Sequence, residues 1–143
     1  MSFQKILIPI DGSVYSDAAI DKATELAKIA GSELTLFFTI DTSIYTHTAA
    51  SSSLSNLEHI LKMEMDEVLK AGEEKVKDAG LTCKTRYSEG IPGKEICEIS
   101  GEYDLIIMGT AGRTGIKKMI LGSVTQHVVT GAKCPVMSVK AKE

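Results

Sequence analysis

Short runs of aliphatic and β-branched residues recur along this chain, separated by segments of helical period, and that alternation narrows the available folds more than any other feature. Residues 5–10 (KILIPI), 33–40 (ELTLFFTI), 81–87 (LTCKTRY), 104–108 (DLIIM) and 135–139 (PVMSV) read as five strands. After the first, the period changes: Ala19, Ile20, Ala23, Leu26, Ala27 and Ala30 share one helical face, with Ser16 as the expected N-cap and Gly31 as the stop. Leu57, Ile60, Leu61, Met65, Val68, Leu69, Ala71 and Val76 predict a long second helix over 57–79, following a polar Ser/Thr-rich loop over 41–55. Shorter helices are expected over 94–100, after Gly90-Ile91-Pro92-Gly93, and over 122–130. Strands joined through helices imply parallel pairing, because each crossover needs a dozen or more residues. The predicted architecture is a doubly wound α/β domain built on a five-stranded parallel sheet. Its ligands are expected beyond the carboxyl ends of the strands.

No Pro- or Gly/Ser-rich linker divides the 143 residues, so one domain over 1–143 is expected. The net charge of −3 supplies no attraction to a phosphate backbone, which argues against nucleic acid as a partner. No apolar run has the length of a membrane span. The opening MSFQKILIPIDGS lacks a charged n-region and a cleavage site, so a cytoplasmic protein is expected. Cys83, Cys97 and Cys134 are odd in number and show no CxxC spacing, while His47, His59 and His127 are scattered. Neither a disulfide framework nor a zinc site is predicted.

The chemistry concentrates after the fourth strand, where Gly109-Thr110-Ala111-Gly112-Arg113-Thr114-Gly115 leads through a spacer to Gly122-Ser123-Val124-Thr125, in the pattern G-x2-G-x9-G-S. Gly109 and Gly112 let the backbone turn tightly and approach a polyphosphate with no Cβ between them. Gly122 and Ser123 open a helix whose unpaired N–H groups and positive dipole end favour an anion. The hydroxyls of Ser123 and Thr125 are candidate donors to phosphate, and Arg113 a candidate charge at the mouth. Glycines also serve plain strand-to-helix loops. A loop with four of them that ends in Gly-Ser at a helix start favours the phosphate reading. Lys117 and Lys118, in the spacer, read as solvated surface. A Walker loop is excluded because Gly93-Lys94 is followed by Glu95, and the dinucleotide fingerprint is missing after the first strand, where Pro9-Ile10-Asp11-Gly12-Ser13 stands. Asp11 can cap its own turn, touch a ligand, or do both.

ILIPIDGS near the start, Gly90-Ile91-Pro92, DLIIMG, the glycine pattern, GSVT and the final CPVMSVK together resemble the universal stress protein family along nearly the whole chain. The resemblance implies a Rossmann-like sheet of the adenine nucleotide alpha hydrolase-like type, in strand order 3-2-1-4-5. The complete G-x2-G-x9-G-S pattern implies the ATP-binding branch, with ATP, ADP or AMP as ligand and Mg or Mn accompanying a triphosphate. It implies that Pro9, Asp11 and Thr39 line the adenosine pocket, and that Gly109 to Gly115 and Ser123 to Thr125 hold ribose and phosphates. Family members often carry Val where Thr39 stands and Ser-His where Thr110-Ala111 stands, which leaves this loop one side-chain donor poorer. The stretch between Glu95 and Asp104 is shorter than usual in the family, so a clipped third helix is expected. The resemblance also implies a homodimer through the last strand, which opens at Pro135 and closes at Val139.

No general base, water-positioning residue or Ser/His/Asp set accompanies the glycine loop, so no catalytic residue is assigned and a sensor or switch in a stress response is the leading reading. A slow ATPase or phosphotransferase, with Asp11 helping to hold a divalent ion, and a nucleotide-free dimerisation module are the alternatives.

Overall fold

Alternating strand side chains set up the two faces that the helices then cover. In a computed structural model describing residues 3–43, 51–111 and 121–141, β1 (Lys5–Pro9), β2 (Glu33–Asp41), β3 (Cys83–Gly90), β4 (Leu105–Gly109) and β5 (Val136–Val139) form one parallel sheet in the order β3-β2-β1-β4-β5. Ile6, Ile8, Leu34, Leu36, Phe38, Ile40, Leu105 and Ile107 face one side, where α1 (Val14–Ala30) packs Ala19, Ile20, Ala23 and Ala27 and α2 (Ser51–Asp78) packs Met65, Leu69 and Val76. Leu7, Phe37, Ile106 and Met108 face the other side, against Ile96 of α3 (Pro92–Ile99) and Val128 of α4 (Ser123–Gly131). Burying each of these large aliphatic or aromatic side chains contributes about 1.5–3 kcal/mol.

The strand assignments stand with shifts at their ends, β3 running on to Gly90 and β4 to Gly109. Two sequence expectations are corrected. The N-cap of α1 is Ser13, whose Oγ accepts the Ser16 N–H at 3.3 Å, and Ser16 lies inside the first turn with its hydroxyl turned back to Asp11. α2 begins at Ser51, so residues 51–55, expected in the loop, are helical. The serines there have weak helix propensity and mask a first turn whose apolar spacing Leu54, Leu57 and Leu61 continues that of the rest. α3 is short, and a 3-10 turn (Ser100–Glu102) completes the crossover. Ser100, fully buried, accepts the Lys133 N–H at 2.9 Å and donates to the Cys97 carbonyl at 2.6 Å. Among the described residues no helix is long and apolar enough to cross a membrane.

All three cysteines are free and half-buried. Burial, with Glu73 nearby, pushes the Cys83 thiol up to about 11, and burial also raises those of Cys97 and Cys134. These are packed thiols that stay protonated near neutral pH, with the low reactivity that implies.

Candidate functional site

Sheet order brings the carboxyl ends of β1, β2 and β4 side by side, with the first turns of α1 and α4 above them. β1 ends at Pro9, which has no N–H to extend the ladder; the next amide, Ile10 N–H, donates to the Phe37 carbonyl at 2.8 Å. Gly12 then turns the chain with φ of 85°, in the left-handed region that a side chain resists. Asp11 organises that turn. Its Oδ1 accepts the Ser13 N–H at 3.0 Å and the Ser16 hydroxyl at 2.7 Å, while its own N–H donates to Ser16 Oγ at 2.8 Å. The capping role is therefore present, and it fixes the carboxylate at the strand end.

Gly109 closes β4 against α1. A Cβ there would stand 2.6 Å from Tyr15 Cβ and 2.8 Å from the Tyr15 carbonyl oxygen, so only glycine permits this approach. Thr110 continues outward, donating its N–H to the Val139 carbonyl at 3.0 Å and accepting the Gly122 N–H at 2.7 Å. That second bond joins the beginning of the glycine segment to its end. Residues 112–120, including Gly112, Arg113, Thr114, Gly115, Lys117 and Lys118, lie outside the described residues.

Helices α1 and α4 differ at their starts. α1 is capped by Ser13, whereas α4 starts on Gly122 with no side-chain cap. The first intrahelical amide bond of α4 is Gln126 N–H to the Gly122 carbonyl at 2.9 Å, which leaves the N–H groups of Ser123, Val124 and Thr125 without an intrahelical acceptor. Ser123 is exposed and Thr125 buried. The hydrogen that Thr125 was expected to offer a phosphate is donated to the Gly109 carbonyl at 2.8 Å, so this residue faces the site through its amide and fastens α4 to β4 through its hydroxyl. Gln126 Nε2 donates to the Leu121 carbonyl at 2.7 Å and holds the approach to the helix. Three amides at an uncapped helix start, held beside Gly109 and Thr110, form a partial positive charge at the mouth of the sheet.

Residues 2–140 match the sequence pattern of the universal stress protein family. The chain belongs to that family. Universal stress protein MJ0531 of Methanocaldococcus jannaschii is 36% identical over 140 residues, covering 96% of this chain and 82% of the relative. Universal stress protein MJ0577 of the same organism is 31% identical over 156 residues, covering 98% and 96%. A solved structure of hypothetical protein MJ0577 superposes with a TM-score of 0.86 at 29% identity, over 100% of this chain and 99% of that one. A universal stress protein in complex with cAMP shares the fold at 23% identity and a TM-score of 0.74, over 99% and 100% of the two chains. The Rossmann-like sheet order expected from the universal stress protein resemblance is the order observed.

For this universal stress protein, the structure gathers Pro9, Asp11, Gly109, Thr110, Ala111 and the Gly122-to-Thr125 turn at neighbouring strand ends, with Thr39 one strand beyond Pro9. Three residues that neighbour the candidate site residues escaped the sequence reading. Ser16 orients Asp11, Tyr15 packs on Gly109, and Ser88 stands in register with Thr39. Ser16 carries a local signal, its hydroxyl five residues after an aspartate at a helix start, which a cap and an orienting role share. Tyr15 meets Gly109, and Ser88 meets Thr39, only through non-local packing. Among the described residues no group of three His, Cys, Asp or Glu side chains gathers where a metal ion could sit. At the opposite pole of the sheet a groove of about 280 Å³ is lined by Lys5, Glu33, Lys84, Arg86 and Glu102. Its charges largely pair among themselves, Lys84 with Glu33 at 3.1 Å and Arg86 with Glu102 at 3.2 Å.

Proposed function

We propose that this chain binds an adenine nucleotide, ATP or its relatives ADP and AMP, at the carboxyl ends of β1, β2 and β4, and acts as a stress-response sensor or switch with little turnover. The carrying observation is the uncapped start of α4, whose Ser123, Val124 and Thr125 amides lie beside Gly109 and Thr110 through the Gly122–Thr110 hydrogen bond. Helix starts of this kind favour phosphate. The complete G-x2-G-x9-G-S pattern supports the same ligand, as does the cAMP held by a protein of the same fold. Pro9 and Thr39 serve as walls for the nucleoside, and Gly112, Arg113, Thr114 and Gly115 complete the phosphate loop. The free thiols fit a reducing cytoplasm.

Among the described residues β5 is an edge strand paired with β4 alone, with Met137 partly exposed, and in this reading it pairs with its copy in a two-fold dimer. Heating purified protein and assaying the supernatant is expected to release ATP, ADP or AMP, and light scattering on the same preparation to give twice the chain mass. A nucleotide-free supernatant together with no calorimetric heat from any adenine nucleotide would overturn the ligand; a mass of one chain would overturn the dimer.

Asp11 gives a second reading its foothold. Mg²⁺ is usually held by one or two carboxylates together with phosphate oxygens, and Asp11 is fixed at the end of β1 by Ser13 and Ser16. Asn at this position keeps an oxygen that accepts from Ser13 and Ser16 while removing the charge. Asp11→Asn is therefore expected to leave the melting temperature within a few degrees of wild type but to abolish any gain in ATP affinity from Mg²⁺. Asp11→Ala, which loses the acceptor, should cost about 1–2 kcal/mol of stability. If the Mg²⁺ dependence survives in Asp11→Asn, the carboxylate has no part in holding the ion.

A further inference from the structure

Two hydroxyl oxygens near the proposed site have no partner. Thr39 Oγ1 and Ser88 Oγ are both shut off from solvent, and neither makes a hydrogen bond. They are also neighbours, because the β2–β3 register sets Thr39 opposite Ser88. Thr39 follows Phe37 by two residues and so shares its face of the sheet, the one that α3 and α4 cover and to which Met108 contributes. Four other buried hydroxyls are engaged: Ser16 with Asp11, Thr24 with the Asp21 carbonyl, Ser100 with the Cys97 carbonyl and Thr125 with the Gly109 carbonyl. Leaving a buried hydroxyl unpaired costs free energy, and two side by side call for a partner that arrives later.

The position indicates which partner. Adjacent strands lie about 4.8 Å apart, so in the order β3-β2-β1-β4 Thr39 is about 10 Å and Ser88 about 14 Å from Gly109, on the side away from β5. A nucleotide whose phosphates rest on the first turn of α4 extends its nucleoside across the strand ends in that direction. Its base then arrives over β2 and β3. A hydroxyl both donates and accepts, so a pair of them can serve a ring nitrogen and an exocyclic amine together. Neither residue is fully buried as a whole, and contact with a base requires each hydroxyl to turn about χ1 from one staggered well to another.

We propose that Thr39 and Ser88 read the base of the bound nucleotide through their side-chain hydroxyls, one donating to a purine ring nitrogen and the other accepting from the exocyclic amine. The inference rests on the nucleotide reading above and deepens it, since it makes the side chain at position 39 a determinant of base selectivity and adds Ser88.

The test compares wild type with Thr39→Val, which keeps the shape and removes the hydroxyl, and with Ser88→Ala. ATP and purine riboside triphosphate, which lacks the exocyclic amine, are titrated calorimetrically, and the melting temperature of each nucleotide-free protein is recorded. Each variant is expected to bind ATP about tenfold more weakly, the loss of one hydrogen bond, about 1.4 kcal/mol. The nucleotide-free variants should melt no lower than wild type, because what was removed had no partner. Wild type should prefer ATP over the purine analogue by about tenfold, and a variant carrying both Thr39→Val and Ser88→Ala should show no preference. Unchanged ATP affinity in both variants overturns the proposal while leaving nucleotide binding intact. A fall in melting temperature with no loss of selectivity also overturns it, since it assigns the hydroxyls to the fold or to an ordered water. If wild type binds no adenine nucleotide, the reading beneath it fails, and this proposal with it.

Discussion

Gly109→Ala is expected to destabilise the protein by about 3 kcal/mol, the upper part of the range for an overfilled core, and to lower nucleotide affinity by at least tenfold. The new Cβ would fall 2.6 Å from Tyr15 Cβ, 2.8 Å from its carbonyl oxygen and 2.9 Å from its carbonyl carbon. Two of those atoms are backbone, so no rotamer change relieves the overlap. The first turn of α1 must move off β4, or the end of β4 must move away from α1. Either shift disturbs the Gly109 carbonyl that accepts the Thr125 hydroxyl, and with it the attachment of α4. The midpoint of urea unfolding should fall with an unchanged slope. Gly101→Ala is the control: a Cβ there would meet only the flexible Lys133 side chain, at 3.3 Å, and its effect should stay within about 0.5 kcal/mol. If both variants unfold at the wild-type midpoint, the approach of α1 to β4 has slack that these contacts conceal.

Phe37→Ala should cost about 3–5 kcal/mol and lower the melting temperature by roughly 10–15 °C. Among the described residues, the α3–α4 face has six buried hydrophobics, Leu7, Phe37, Ile96, Ile106, Met108 and Val128, against sixteen on the α1–α2 face. Phe37, 1% exposed, is the largest of the six, so its truncation would leave the largest cavity on this face. It lies on the same face as Thr39, two residues earlier in β2, so the truncation should also weaken ATP binding. Phe37→Leu, which fills most of the space, should recover most of the stability. A loss below about 1 kcal/mol in Phe37→Ala would mean that α3 and α4 collapse onto the sheet without it.

What can be read along the chain depends on how local the cause is. The five strands and four helices followed from apolar period, because a side chain's face is set by its own backbone repeat. Boundaries failed where residues of weak preference sat at an element's end, as with the serines at the start of α2 and the choice between Ser13 and Ser16 as cap of α1. At the site, Gly109, Gly122 and Ser123 were legible from spacing. The commitment of the Thr125 hydroxyl to Gly109 was not, since donor and acceptor lie sixteen residues apart.

By itself, then, the sequence determined the alternation of strands and helices, the glycine-marked segment after β4 and membership in the universal stress protein family. Tertiary structure alone decided that α4 starts without a cap beside Thr110, that Gly109 must lack a side chain to admit Tyr15, and that Thr39 and Ser88 meet unpaired across two strands. Those features arise from contacts between elements distant in the chain. A local pattern specifies which face a residue presents, but only the assembled sheet specifies what stands opposite it.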